Sequence, residues 1–346
     1  TWSSMNASTL YPLADGTYAT ASSPSVLGNN KLTWETSEQL DFGIDLRFLA
    51  DRLGFTMDYY HKTTKDLITT NTPPLEAGNS ASPINGGNVV NKGFDFELTW
   101  RDHIGDFKYS IAANLSTLKN EVTYLDPTIS RLNGASVNKW SSATAFEKGL
   151  PVWYFRGYKT DGIDPATGNV NFVDVNGDGT VNANDFTYIG SAIPDITYGA
   201  TLNMEYKGFD FTMFIQGQAG NDILMGIIRT DRPATNKLSL FYTDPNASRP
   251  SATVDAKYWN SDQMLFNGSF MKIKQIQLGY SLPVLVTNKL HIGHTRIYAS
   301  LDDFFTFTNY LGMDPEASSS NNNSIGIDRG FFPISKKVLF GLSLNF

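Results

Sequence analysis

The sequence predicts an all-β fold, and three observations indicate that it is part of an antiparallel transmembrane β-barrel. Nine segments alternate apolar and polar residues, as strands with two different faces do. Short and long connections between these segments alternate along the chain. The last stretch is an apolar strand ending at Phe346; a barrel needs such a strand, whereas a soluble domain seldom ends on an exposed apolar edge. Taken alone, that stretch also fits the C-terminal strand of a soluble sandwich.

Composition agrees with a fold of many strands and polar loops. The 346 residues include 23 Phe, 16 Tyr and 29 Gly, and only 18% are charged. A net charge of −7 and the lack of a basic patch argue against a nucleic-acid partner. The absence of cysteine excludes disulfides and thiolate metal sites. No apolar run approaches the ~18–20 residues of a membrane-spanning helix, which excludes helical membrane proteins and leaves β-barrels open.

The first 38 residues have no period and are rich in Ser, Thr, Ala and Asn, so residues 1–38 are predicted to be an extracellular loop. Residues 39–346 are predicted to hold the barrel strands and their loops. In the first strand, for example, Leu40 and Phe42 lie on one face and Asp41 and Asp45 on the other. The nine predicted strands, in chain order, are residues 40–48, 53–60, 94–100, 107–116, 196–206, 209–216, 269–282, 296–302 and 338–346.

One of these strands changes parity. In residues 269–282, Met271 and Ile273 share one face, while Ile276 and Leu278 fit that face only after a shift by one residue. A one-residue β-bulge at Lys274-Gln275 would restore the register.

The connections sort into two groups. Short ones lie at residues 50–52, 103–106, 207–208 and 283–293, and long ones at residues 71–90, 119–194, 219–268 and 304–335. Outer-membrane barrels have short periplasmic turns and long extracellular loops. Strand directions alternate without conflict only if residues 119–194 contain no spanning strand, although residues 152–160 look strand-like. Nine is an odd number and bacterial single-chain barrels have even numbers, so further strands are expected N-terminal to Thr1 in a processed or truncated chain.

Several stretches resemble the C-terminal half of the SusC/RagA-type TonB-dependent outer-membrane transporters of Bacteroidetes. They are residues 91–98 (NKGFDFEL), 157–163 (GYKTDGI), 194–199 (PDITYG), 206–211 (YKGFDF), 216–222 (GQ-rich QGQAGND), 276–283 (IQLGYSLP), 305–310 (FTFTNY) and the Phe346 terminus.

This resemblance implies the C-terminal portion, about nine strands, of a 22-stranded antiparallel barrel with long extracellular loops. It implies an N-terminal plug and the remaining barrel strands, which this sequence lacks, and a SusD-like surface lipoprotein as a lid. It further implies import of oligosaccharides or peptides, driven through TonB, ExbB and ExbD.

The long connection at residues 119–194 contains a calcium-type motif. Asp174, Asn176 and Asp178 stand at positions one, three and five of a twelve-residue loop, and Gly179 at six. Further oxygen donors at positions seven, nine and twelve are Thr180, Asn182 and Asp185. Hard oxygen ligands at this spacing suit Ca²⁺, which would pin the loop in a structural role. A solvated Asp/Asn/Gly turn is the alternative.

Aromatic and charged residues in the long loops are candidates for substrate binding, because sugars stack on aromatic faces. Packing within the loops, or contact with a lid protein, is the alternative for each aromatic; a solvated salt-bridge group is the alternative for Arg229. The candidates are Trp140, Trp153, Tyr154, Tyr242, Trp259 and Arg229.

Catalytic patterns are absent from the sequence. The four histidines form no metalloprotease motif and no triad, and no nucleophile elbow, P-loop or dinucleotide fingerprint occurs. An outer-membrane enzyme is therefore the weakest hypothesis. The remaining alternatives are a TonB-dependent importer in the outer-membrane lipid and a calcium-stabilised surface glycan-binding or adhesive β protein without transport. Only the importer needs a plug and a TonB-contacting segment.

Overall fold

The fold is known from a computed structural model, which describes residues 4–26, 28–71, 82–137, 140–164, 169–227, 256–316 and 321–345. These residues form 21 strands, numbered in chain order, and one α-helix, α1 (Val284–Leu290). The strands up to residue 125 are β1 (Ser4–Pro12), β2 (Tyr18–Val26), β3 (Thr36–Phe48), β4 (Leu53–Asn71), β5 (Ser82–Ile104), β6 (Phe107–Thr117) and β7 (Lys119–Leu125).

The next six strands are β8 (Leu132–Asn133), β9 (Thr144–Phe146), β10 (Tyr154–Gly157), β11 (Thr160–Ile163), β12 (Val170–Phe172) and β13 (Thr187–Gly190). The last eight are β14 (Ile196–Tyr206), β15 (Phe209–Ala219), β16 (Asp222–Met225), β17 (Leu265–Asn267), β18 (Phe270–Ser281), β19 (Thr295–Thr308), β20 (Ile327–Asp328) and β21 (Lys337–Leu344). None of the helices in the described part of the chain has the length and apolarity needed to cross a membrane.

Nine long strands form one sheet in the order β21-β19-β18-β15-β14-β6-β5-β4-β3, and β7 pairs with the outer part of β5. Every neighbouring pair in this sheet is antiparallel. The number and order of the spanning strands predicted from the alternation are therefore confirmed. The segment 119–194 contributes β7 at its start but no spanning strand between β6 and β14, as predicted.

The register places most of the apolar side chains of the nine strands on one face. One row across the sheet runs Ile44, Met57, Phe96, Leu115, Tyr198. Strands shift their side chains to the opposite face at each residue, so the polar residues between these positions all point the other way. The apolar side is called the outer face below, and the polar side the inner face.

The predicted bulge is confirmed. The pairing of β18 with β19 skips Lys274, and β15 shows the matching shift between Phe214 and Ile215. On β19 the irregularity falls at Asp303, whose φ is 56°. The extra residue on β18 returns Ile276 and Leu278 to the outer face, as the parity change required.

Two predicted loops contain more regular structure than expected. Residues 4–26, inside the segment predicted as a loop, form the β1–β2 hairpin, which stays apart from the main sheet. Residues 71–90 were expected to be a long loop, but β4 runs to Asn71 and β5 starts at Ser82, with Asn71 opposite Ser82. These extensions are rich in Thr, Asn and Gly. Apolar and polar residues do not alternate in them, because neither of their faces is part of the apolar outer face.

The two ends of the main sheet differ. At one end, called the turn end, strands are joined by short turns such as Lys207-Gly208 and by α1. At the other, called the loop end, lie the long connections. The short turns depend on left-handed backbone at Leu49, Ala50 and Asp51, and at Lys207 and Gly208.

Candidate functional site

Three of the four long connections at the loop end fold into one body, called here the loop assembly. It comprises the described parts of residues 119–194, 219–268 and 304–335. The first contributes a four-stranded sheet in the order β13-β10-β9-β8. In a second sheet, β16 pairs with β17 antiparallel and with β20 parallel. Since β16 and β20 come from different connections, the second and third loops are joined by backbone hydrogen bonds.

A hydrophobic core of its own holds the loop assembly together. All three connections contribute fully buried side chains, including Phe155 from β10, Leu224 from β16 and Ile327 from β20. Burial of apolar area on this scale is the main source of stability for such a body. The buried core residues are Val137, Trp140, Ala143, Phe155, Ala192, Ile223, Leu224, Met225, Tyr258, Met264, Tyr310 and Ile327.

Buried polar contacts cross between the same loops. The Thr144 hydroxyl donates to the Asn323 carbonyl oxygen at 2.5 Å, and the Thr160 hydroxyl donates to the Asp262 carboxylate at 2.6 Å. The Tyr310 hydroxyl donates to Asp328 Oδ2 at 2.6 Å, and both side chains are buried. Burial, followed by this bond to a carboxylate, raises the pKa of Tyr310. The first two contacts join different loops, and the third ties together two parts of the loop at residues 304–335. Each stabilises the assembly, because a buried polar group that loses its partner is costly.

A buried ion-pair network joins the loop assembly to the sheet. Lys272 of β18 contacts Asp314 Oδ1 at 2.6 Å and Glu316 Oε2 at 2.5 Å; the Lys272 and Asp314 side chains are 3% and 7% exposed. Lys274, the bulge residue, contacts the same Glu316 oxygen at 2.9 Å and Asp303 at 3.0 Å. The chain after β19 is thereby held against the inner face of the sheet.

Asp314 also binds the far end of its own connection, because its Oδ2 accepts the Ile334 amide at 2.9 Å. Burial alone would raise the pKa of the Asp314 carboxyl, but the Lys272 ammonium and the amides of Ile334 and Glu316 outweigh it, so the pKa is lowered. Asp314 therefore stays ionised and closes the base of the loop between β19 and β21.

The inner face is polar over most of its length. Toward the turn end a groove of about 700 Å³ is lined by charged side chains that include Lys108, Glu205, Asp210 and Arg296. Arg296 donates to both oxygens of Asp210, with Nε 2.9 Å from Oδ1. On β14 and β15 the same face carries uncharged groups, where the Thr212 hydroxyl donates to Asn203 Oδ1 at 3.0 Å.

The calcium-type motif forms a compact loop. Both oxygens of Asp174 accept backbone amides, from Gly177 and from Gly179, at 2.7 Å each. Asp178 accepts the Thr180 amide at 2.8 Å and the Asn176 side-chain amide at 3.0 Å. Both glycines have positive φ, which a side chain would disfavour.

Asp185, at the twelfth position of the motif, is buried within this loop. It accepts the amides of Val175, Asn176 and Asn182. The Asn182 amide is the main reason why the pKa of the Asp185 carboxyl is lowered; burial opposes this, and the other two amides and the Asp174 side chain add to it. The first and last acids of the motif therefore lie together.

The third acid, Asp178, is turned toward Asn176 and Thr180 instead. Across the described residues, no three acidic or histidine side chains come close enough together to hold a metal ion. The loop thus brings together two of the three carboxylates that the motif supplies, and calcium binding would require Asp178 to turn inward.

Two aromatic candidates lie inside the loop assembly. Trp140 is 2% exposed, and its indole Nε1 donates to the Arg156 carbonyl oxygen at 3.1 Å. Tyr154 is 1% exposed, and its hydroxyl donates to Glu147 Oε2 at 2.8 Å. Burial and the bond to Glu147 raise the pKa of Tyr154. Neither ring offers an open face for a sugar, which matches the packing alternative.

Two further candidates are partly buried. Trp153 packs on Phe146, with ring centroids 5.5 Å apart, and Trp259 packs on Tyr258 at 5.1 Å. The four described aromatics are thus distributed over the assembly and form no single surface. Tyr242 and Arg229 lie outside the described residues.

The ion-pair network of Lys272 was not anticipated. The sequence holds one sign of this network: Lys272 and Lys274 are the only charged residues of their strand. Trp34, in the segment predicted to be a loop, is also exposed.

Comparison with known proteins gives consistent matches. Residues 3–211 match the family model described as TonB dependent receptor-like, beta-barrel. TonB-dependent receptor P3 of Formosa agariphila is 30% identical over 92% of this chain and 35% of its own length. TonB-dependent receptor SusC of Bacteroides thetaiotaomicron is 27% identical over 97% of this chain and 34% of its own length. The chain therefore spans about a third of these relatives.

A solved structure has the same fold. The chain matched in the structure described as the RagAB peptide transporter superposes on all of this chain and 38% of its own length, with a TM-score of 0.78 and 24% sequence identity. The same transporter described in an open-open state gives a TM-score of 0.79. At this identity the likeness shows the fold alone.

Proposed function

Because this chain belongs to the TonB-dependent receptor β-barrel family of outer-membrane transporters, which are not enzymes, we propose that it serves in TonB-dependent nutrient import. The proposed cargo is an oligosaccharide or a peptide. The proposed partners are a plug in the lumen and the remaining strands of the same transporter, a SusD-like lipoprotein at the loop end, and TonB with ExbB and ExbD for energy.

The observation that supports this proposal most directly is the difference in polarity between the two faces of the nine-stranded sheet. The outer face is a continuous apolar surface suited to lipid, while the inner face holds charged and amide side chains. A polar wall inside an apolar shell suits a lumen that holds a plug and polar cargo. The interlocked loop assembly supplies an ordered surface outside the membrane, where a lid could dock.

A calcium-stabilised surface glycan-binding or adhesive protein is the second candidate. The compact motif at residues 174–185 and the ordered loop assembly favour it. Such a protein would bind cargo without TonB and without a plug, so the two candidates differ in their dependence on energy.

Uptake by the native organism separates the candidates. We expect the tagged chain, extracted from the outer membrane in mild detergent, to carry a plug-bearing segment and a lipoprotein in native mass spectrometry. We expect cells to take up either fluorescent maltoheptaose or fluorescent casein peptides, and to lose that uptake without TonB. Surface binding that persists without TonB, with no uptake of either probe, would favour the adhesive protein. Recovery of the chain in the soluble fraction would overturn the importer and favour the adhesive protein.

We also propose that residues 174–185 bind one structural Ca²⁺. The ligand set would be the side chains of Asp174, Asn176, Asp178 and Asp185, with the Thr180 carbonyl oxygen and Asn182 completing it. The spacing of oxygen donors, the adjacent carboxylates of Asp174 and Asp185 and the glycine turns support this proposal.

Protection of the loop by calcium tests that proposal. We expect 1 mM Ca²⁺ to slow hydrogen exchange at residues 174–185 at least fivefold relative to chelator, and Asp178→Ala to abolish the effect. Asp161→Ala, an acid outside the motif, serves as the matched control and should keep the calcium response. Exchange that is the same with and without calcium in the unaltered protein would reject the site.

A further inference from the structure

A groove crosses the outer face near the turn end. It has a volume of about 540 Å³ and lies over β15, β18, β19 and β21. Ala299 forms part of its floor, and Phe340, which is 83% exposed, forms one wall. The opposite wall holds Phe209 and Tyr280, whose ring centroids are 4.6 Å apart. Aromatic walls around a small floor residue make a slot on the outer face.

The turns below this groove carry exposed apolar groups. Helix α1 directly follows β18, and Leu285 is 79% exposed, with Val284 and Val286 beside it also exposed. In the same helix Thr287 is buried. The apolar residues therefore face away from the protein and continue the outer apolar face past the ends of the strands.

The same turns are basic. Residues 282–294 contain Lys289, His291 and His294 and no Asp or Glu. Lys207, in the neighbouring turn, holds its ammonium 5.3 Å from the centre of the Tyr206 ring on the outer face. The two turns are joined, because the Ser281 amide donates to the Gly208 carbonyl oxygen at 2.8 Å. The nearest acid on β15, Asp210, is engaged by Arg296 on the inner face.

From this arrangement we infer that the groove and the turns below it form a binding site for an anionic phospholipid of the periplasmic leaflet. An acyl chain fills the slot over Ala299, and the phosphate lies among Lys207, Lys289 and the turn histidines. The residues of α1 lie at the boundary between headgroups and acyl chains, as interfacial apolar residues beside basic ones do.

The position of the site selects this ligand. Short turns mark the periplasmic end of an outer-membrane barrel, so the basic rim meets the periplasmic leaflet. The slot is continuous with the lipid-facing surface, so a lipid can enter it directly from the membrane. The inference depends on the membrane location of the family and is independent of the cargo and the lid.

Native mass spectrometry of the complete transporter tests the site. The purified protein is incubated with equal amounts of phosphatidylglycerol and phosphatidylcholine in mild detergent. We expect phosphatidylglycerol to remain bound at least fivefold more than phosphatidylcholine. Ala299→Phe fills the slot and should abolish retention of both. Ala113→Phe is the matched control, because Ala113 also lies on the outer face, opposite Ala200, but outside the groove; it should retain lipid as the unaltered protein does.

A second variant keeps the test decisive if Ala299→Phe fails to fold. Lys207→Gln combined with Lys289→Gln leaves the slot intact and should remove the preference for phosphatidylglycerol while some lipid is still retained. Equal retention of both lipids by the unaltered protein, or an unchanged preference in the double lysine variant, would overturn the inference. Uptake of cargo is not measured, so this result is separate from the test of transport.

Discussion

A buried lysine ammonium needs acceptors on every side, because an unpaired charge in a low-dielectric environment costs several kcal/mol. Lys272 meets this need with Asp314 and Glu316. At the residue scale, this network links the sheet to both ends of one connection, because Asp314 binds Lys272 and the Ile334 amide.

Replacing Lys272 by Met is therefore expected to destabilise the attachment of residues 309–316. The change leaves the Asp314 carboxylate buried without its cation, while Glu316 keeps Lys274, and breaking such a buried pair costs about 3–5 kcal/mol. Hydrogen exchange in this segment measures the loss. Lys108→Met is the control: its partner is Glu205, at 3.7 Å, with side chains 69% and 63% exposed. It should cost at most about 1 kcal/mol, and an equal effect of both changes would contradict the argument.

Asp185 gives the calcium-type loop a dependence on acid. Its pKa is lower in the folded loop than in an unfolded chain, where it is about 3.9. The stabilisation is present above the unfolded value and is lost as the pH falls through the folded value. Without calcium, we expect pepsin to cleave residues 174–185 slowly at pH 5 and increasingly fast toward pH 2.

The Asp185→Asn variant shows whether this carboxyl is responsible. It should be cleaved faster than the unaltered protein at pH 5, because the neutral amide is a weaker acceptor for three backbone amides. Its cleavage at 174–185 should then change little with pH once corrected for pepsin activity. A variant that keeps the full acid dependence would show that another group controls the loop.

At the element scale, β18 shows how one extra residue sets which side chains of a strand face inward and which face outward. The bulge at Lys274 lets Lys272 face inward while Leu278 and Tyr280 face outward. It also places Lys274 beside Asp303, at the irregularity of β19. The bulge thus serves the ion-pair network as well as the register.

Deleting Lys274 should disrupt the barrel wall. Without it, a one-residue slip turns Met271 and Ile273 inward and moves Lys272 to the outer face, away from Asp314 and Glu316. We expect the fraction of heat-modifiable, folded protein on gels to fall severely. Deletion of Ala14, in the turn of the separate β1–β2 hairpin, should leave that fraction unchanged. Normal folding of the Lys274 deletion would show that the bulge is dispensable.

At the scale of the whole molecule, alternation predicts the nine spanning strands because lipid on one side and water on the other impose a period of two. The same argument found the bulge at Lys274. Alternation does not predict the extensions of β4 and β5 or the β1–β2 hairpin, because strands outside the membrane do not have lipid on one face and water on the other. Burial of Trp140 and Tyr154 depends on contacts among three distant loops, which local spacing does not encode.

The second and third loops of the loop assembly should also open together. Tyr310→Phe removes the hydroxyl that Asp328 accepts and leaves a buried carboxylate short of a donor, at a cost of about 1–3 kcal/mol. We expect faster hydrogen exchange in β16, β17 and β20 alike, because these strands share one sheet and one core. Tyr124→Phe, at an exposed position, should leave all three unchanged. Faster exchange confined to β20 would show that the loops open separately.

The parallel pairing of β16 with β20 sets an order of events during assembly. These two strands are separated in the chain by β18 and β19, which are part of the wall. Contacts between such distant segments form late, because the intervening chain must first be placed. The core of the loop assembly therefore closes only after β18 and β19 have been inserted. A fully folded loop assembly outside the membrane therefore indicates that β18 and β19 are already in place in the barrel wall.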